Sequence, residues 1–185
     1  AYAADRQIEV IPEIAMPGHC NAASISTEPG QNSAIFSGNF KQLMLTHHSA
    51  ATPPTYTLRN DKGKVQKTLQ DNAALKQKID GMNLAKIEFF QFQTQDGVDL
   101  NGIMVKPADF DANKKYPVIL FQYSGPGSQQ VLDSWYAGNC SAALLERYMA
   151  QEGFVSVIVD GRGTGGRGAE FEKQTYLKLG QLESH

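Results

Sequence analysis

Cysteine is scarce: the 185 residues include two, Cys20 and Cys140, and no Cys-x-x-Cys spacing. Two cysteines cannot build a disulfide framework, and their spacing fits neither a zinc site nor a redox motif, so no metal is expected. Excess charge is scarce too, with a formal net charge of −2, so neither nucleic acid nor an anionic membrane is an expected partner. The lysines at Lys62, Lys64, Lys67, Lys114 and Lys115 have no aromatics between them and read as solvated turns. No apolar stretch is long enough for a transmembrane helix and the first residues lack a leader pattern, so a soluble chain is expected. No Gly-Lys-Ser/Thr phosphate-binding pattern occurs, and no cofactor is expected.

At 41% hydrophobic and 19% charged, the composition is that of a globular chain able to bury a core. The stretch around which the rest is organised runs from Tyr116 to Gly168. Val118 to Phe121 and Val155 to Val159 are apolar enough for strands buried on both faces, the habit of a parallel sheet. Between them Ser141 to Gln151 predicts the crossover helix, with Ser141 as N-cap, Gly153 as stop, and Leu144, Leu145, Tyr148 and Met149 on one helical face. Both strands end in glycine-rich loops, beginning at Tyr123 and Asp160. In open α/β sheets ligands collect at such carboxyl ends.

Upstream the texture is different. Ser33 to Phe36, Gln42 to Ser49, Thr55 to Asn60 and Val65 to Leu69 predict short antiparallel strands, as in a propeller blade or a small sandwich. His47 and His48 are adjacent, so on a strand they point to opposite faces and cannot chelate one ion together. Asn72 to Asp80 predicts a short helix capped by Asn72. Ile87 to Thr94 and Leu100 to Val105 predict a hairpin around a Gln-Asp-Gly turn. After Gly168, Phe171, Tyr176, Leu177 and Leu182 predict a helix or irregular cover packed on the sheet. Near the start, a strand at Ile8 to Ile11 leads to Glu13 and His19, which could form an acid and imidazole pair or simply flank a Pro-Gly turn.

Two resemblances sharpen this reading. Ile-Pro-Glu-Ile-Ala-Met-Pro-Gly-His19 resembles the strand-end signature of the beta-N-acetylhexosaminidases, barrel enzymes that remove terminal amino sugars. Ala15 stands where that family has an acidic residue, and its Asp-Glu catalytic dipeptide is absent. Glu13 and His19 are therefore at most remnants of a sugar site. From about Ser24 to Ser184, Phe36-Ser-Gly-Asn-Phe40, Thr52-Pro-Pro-Thr-Tyr56, Lys114-Lys-Tyr-Pro-Val118, Gln122-Tyr-Ser-Gly-Pro-Gly-Ser-Gln129, Val159-Asp-Gly-Arg-Gly-Thr-Gly165 and Thr175-Tyr-Leu-Lys-Leu-Gly180 resemble the dipeptidyl peptidase IV group of the prolyl oligopeptidase family.

Together the two resemblances imply an α/β chain in three parts: a hexosaminidase-like strand-loop piece over 1–23 from the first, and from the second the end of a β-propeller over 24–80 and the start of an α/β-hydrolase catalytic domain, hairpin plus βαβ, over 81–185. The second implies a serine exopeptidase parent releasing X-Pro dipeptides through an acyl-enzyme, with Tyr123 as an oxyanion donor. A periplasmic or extracellular setting is the family's suggestion alone. Asp160 and Arg162 could touch substrate, but a buried ion pair pinning the glycine-rich loop is the commoner arrangement and the one expected. No Gly-x-Ser-x-Gly elbow occurs, so the nucleophile, its acid and its histidine are missing and the isolated chain is expected to be inactive. A peptide substrate is then a partner only of the complete parent, and unpaired sheet edges are expected to drive self-association. The alternatives are a noncatalytic composite or scaffold chain and, with less support, a glycosidase-derived sugar-binding module.

Overall fold

The computed structural model describes residues 20–21, 26, 28–123 and 125–182. They form mixed sheets with few helices, in two compact units. The first unit is Ala1–Lys78 with Asp133–Trp135, and the second is Ile79–Leu132 with Tyr136–His185.

The first unit is an antiparallel meander. Strands β1 (Cys20–Asn21), β2 (Gln31–Phe36), β3 (Gln42–Ser49), β4 (Thr52–Asn60) and β5 (Val65–Gln70) pair in chain order. Side chains close the tight turns. The Asn39 side-chain oxygen accepts from Ser37 Oγ and the Lys41 N–H, and that of Asn60 accepts from the Lys62 and Lys64 N–H groups. Alternation on β2 and β3 buries Ala34, Leu43 and Leu45 as a small core against Phe36. β5 is exposed along its whole length.

The two histidines stay apart and structural. His47 Nδ1 meets Asn32 Oδ1 at 3.1 Å, whereas His48 Nδ1 accepts the Trp135 N–H at 3.2 Å. Beside it the Ala50 N–H donates to Asp133 Oδ1 at 2.9 Å. Burial, helped by His47 and opposed by Asp133, lowers the His48 pKa. That direction fits a neutral ring whose Nδ1 must stay an acceptor.

Helix α1 (Ala73–Gly81) follows. Asn72 does not cap it with its side chain, which donates to the Pro54 carbonyl at 2.6 Å; Asp71 Oδ1 instead accepts the Ala73 N–H at 3.1 Å.

In the second unit, β6 (Ile87–Gln93), β7 (Asp99–Val105), β8 (Val118–Gln122) and β9 (Val155–Asp160) form one sheet in the order β6-β7-β9-β8. β7 is antiparallel to β6 and to β9, and β8 runs parallel to β9, from Val118 opposite Val155 to Gln122 opposite Val159. Ile103, Val105 and Ile158 on the two central strands make the core with Ala85, Ala137 and Ala150. Gly102 sits directly across from Phe90, whose ring fills the space a side chain at 102 would need.

The expected βαβ unit is present with two corrections. β8 is not buried on both faces: it is the last strand of the described sheet, with Val118 61% and Leu120 62% exposed. The crossover helix is also shorter and turned. Ser141–Ala143 form a 3₁₀ turn in which Ala142 and Ala143 have positive φ, Ser141 caps nothing, and α2 spans Leu144–Gln151. That turn aims Glu146, Arg147 and Ala150 inward and leaves Leu144, Leu145 and Tyr148 exposed. Glu146 Oε1 accepts from the backbone and side-chain N–H groups of Asn139 at 3.0 and 2.7 Å, which offsets part of its burial. The C-terminal stop is as expected: the Gly153 N–H bonds to the Ala150 carbonyl and the Phe154 N–H to that of Met149.

The last described segment holds α3 (Ala169–Glu172) and a second 3₁₀ turn, Lys173–Thr175. Phe171 is buried and Leu182 half-buried, but Tyr176 and Leu177 are exposed, so the expected apolar cover is only partial.

Candidate functional site

Because β8 and β9 are parallel, their carboxyl ends lie side by side and so do the loops that leave them. Tyr123 is the first residue beyond β8 and is 59% exposed. A side chain at Gly125 would stand 3.4 Å from its ring, so the phenol lies over a glycine floor. Ser128 Oγ is within 3.0 Å of the Tyr123 carbonyl and 2.6 Å of the Gly125 carbonyl, and the Ser128 N–H also donates to Gly125. Its hydroxyl is thus engaged with backbone carbonyls.

The second loop packs against the first. The Gly165 N–H donates to the Ser128 carbonyl at 2.7 Å. A Cβ at Gly165 would lie 3.2 Å from the Gly127 carbonyl oxygen, and one at Gly166 would overlap the Gln129 side-chain amide. Gly165 is explained by close approach of two backbones, and Gly166 by its φ of +82.

Asp160 ends β9 with 2% exposure. Its two carboxylate oxygens accept the N–H groups of Gln130 at 2.8 Å and Val131 at 3.0 Å. Burial pushes its carboxyl above the ordinary range, and these two donors, with Arg167 nearby, pull it back. The expected ion pair of Asp160 with Arg162 does not form. Arg162 instead donates to Asp96, in the turn between β6 and β7, and to Thr94 Oγ1 at 3.4 Å. The Arg162 hydrogen bond holds the Asp96 carboxyl well below the usual range. Each partner found a different neighbour because the strand places Asp160 toward the first loop and the next turn carries Arg162 toward the hairpin. No sequence signal announces a partner 66 residues away, so Asp96 was not foreseen as part of this anchor.

Glu13 and His19 lie outside the described residues. Among the described residues, no group of three His, Cys, Asp or Glu side chains could hold a metal ion, and no helix is long and apolar enough to cross a membrane. Chemically, the paired loops offer an exposed phenol donor on a braced backbone.

The stretch matches known proteins in sequence and in fold. It is 34% identical over 158 residues to the dipeptidyl peptidase 4 of Arthroderma otae, covering 84% of this chain and 20% of that protein. It is 31% identical over 159 residues to that of Trichophyton rubrum, covering 85% and 20%. The crystal structure of Porphyromonas gingivalis dipeptidyl peptidase 4 superposes with a TM-score of 0.79 at 44% identity, covering 86% of this chain and 22% of that one. A family profile described as prolyl oligopeptidase family matches residues 142–185. This stretch belongs to the dipeptidyl peptidase IV group of the prolyl oligopeptidase family.

The chain therefore spans about 20% of the length of the curated dipeptidyl peptidases it matches. A second profile, glycosyl hydrolase family 20, catalytic domain, matches residues 1–79. It supports the hexosaminidase resemblance of the first residues and runs on across 31–70, where the chain forms the antiparallel meander β2 to β5.

Proposed function

We propose that the second unit is the opening portion of an α/β-hydrolase catalytic domain and that Tyr123 is its oxyanion donor. The observation that carries this reading is an exposed tyrosine at the carboxyl end of β8, beside the end of parallel β9, within a stretch similar to dipeptidyl peptidases. The strand order, two antiparallel neighbours and then a parallel crossover, suits the entry into such a sheet. In the complete parent, a serine outside these residues attacks the carbonyl carbon of the penultimate proline, and the Tyr123 O–H donates to the carbonyl oxygen as it gains negative charge. The C–N bond then breaks, the rest of the peptide leaves as its protonated amine, and water hydrolyses the serine ester to release an X-Pro dipeptide. The first unit is the end of a β-propeller. No cofactor takes part, and the peptide is a ligand of the parent alone.

The isolated chain is inactive on this reading. The test is intact mass before and after a fluorophosphonate, together with release of p-nitroaniline from an X-Pro anilide. No adduct and no release are expected; a stoichiometric adduct would mean that a serine among these residues is activated and would overturn the reading. The match of residues 1–79 to a glycosidase family favours a second reading, a noncatalytic composite chain. N-Acetylglucosamine binding abolished by His19→Ala would move it toward a sugar-binding module.

A further inference from the structure

We propose that Asp160 is a positioning residue for the oxyanion donor: by binding the two backbone N–H groups of Gln130 and Val131, its carboxylate fixes the loop that presents Tyr123. This rests on Tyr123 acting as that donor. Asp160 does not reach the phenol and acts through the chain. Its oxygens grip the far end of the loop at 2.8 and 3.0 Å. The Gly165 N–H grips the middle, at the Ser128 carbonyl, at 2.7 Å. Ser128 Oγ, lying at 3.0 Å from the Tyr123 carbonyl, carries the constraint to the residue that does the chemistry.

Each link has one feature that makes it stiff. Asp160 is 2% exposed and anchored at the end of a central strand, so its carboxylate has little freedom to follow a moving loop. Both of its oxygens are engaged, one by each N–H, which fixes orientation as well as distance. The Gly127 and Gly165 backbones are in near contact, which only glycine permits without spreading the loops. A donor displaced by a fraction of an ångström no longer matches the oxyanion, so the loss should appear in kcat.

Two arms test this. In the 185-residue chain, Asp160→Ala should speed amide exchange at Gln130 and Val131 at least 10-fold, with exchange at Ile103 and Ile158 in the sheet unchanged; Asp160→Asn, which keeps one acceptor oxygen, should fall between. Unchanged exchange at 130 and 131, or a uniform rise across the sheet, would overturn the clamp. In the full-length peptidase carrying these residues, Asp160→Ala should lower kcat 10-fold or more with KM within about threefold, and should cost little further when added to Tyr123→Phe. Additive losses would overturn the link to Tyr123. If Tyr123→Phe alone leaves kcat intact, the oxyanion reading fails, and the catalytic consequence with it, while the exchange arm still decides whether Asp160 holds the loop.

Discussion

Replacing Gly30 by alanine should be among the most damaging single-methyl additions in the first unit, for two separable reasons. Gly30 has φ +117, a region that side-chain-bearing residues rarely enter, and a Cβ there would lie 2.5 Å from the His48 carbonyl oxygen and 3.0 Å from Ser49 Cβ. The conformational cost is about 1–3 kcal/mol. The overlap adds about 1–3 kcal/mol because its partner is backbone: His48 is paired with Gln31, the next residue, and cannot swing aside. Together they predict about 2–6 kcal/mol. Two other glycines isolate the parts. Gly97 has φ +82 with nothing within 4 Å, so Gly97→Ala should cost only the conformational term, about 1–2 kcal/mol. Gly38 has neither positive φ nor a near neighbour, so Gly38→Ala should be neutral or stabilise by up to about 1 kcal/mol. Urea unfolding of the three variants, with amide exchange assigning each transition to its unit, gives the ranking. If Gly30→Ala costs no more than Gly97→Ala, or Gly38→Ala costs as much, the reasoning from close approach is refuted.

Further outcomes follow from charge and from the sheet edge. His48 has a lowered folded pKa, chiefly through burial, so its contribution is present above the ordinary value and lost as pH falls through the folded one. Stability of the first unit should fall below about pH 6.5 and the fall should flatten in His48→Gln, as read by urea midpoints at several pH values. Asp96, depressed by its bond to Arg162, likewise contributes above the ordinary carboxylate range and loses that contribution on acidification. Asp96→Asn should remove that acid limb and speed exchange near Arg162, without altering exchange at Gln130 and Val131. Self-association, if it uses the free edge of β8 where Val118 and Leu120 are exposed, should weaken in Leu120→Lys by sedimentation velocity, because an edge lysine opposes strand pairing.

Much of the second unit was legible in the sequence because its signals are local. The apolar runs at 118–121 and 155–159, the Gln-Asp-Gly turn and the Gly153 stop each specify geometry within a few residues, and the strands and helix stop came where expected. Pairing beyond that range was not legible. Apolar content suggested that β8 is buried, but burial depends on what lies beside a strand, and β8 is the edge of the described sheet. The late start of the helix at Leu144 was not legible because Ala142 and Ala143 adopt left-handed backbone that no propensity of alanine foretells. Residue chemistry paired Asp160 and Arg162 with each other, and the structure does not. Their true partners, backbone amides at Gln130 and Val131 and the carboxylate of Asp96, are set by tertiary approach.

The most direct test of the account is kcat of Tyr123→Phe in the full-length peptidase, measured with an X-Pro anilide. Removing an oxyanion donor predicts a fall of about 10²–10³ in kcat with KM little changed, equivalent to about 3–4 kcal/mol of transition-state stabilisation. An unchanged kcat, or a loss confined to KM, would contradict the role assigned to Tyr123.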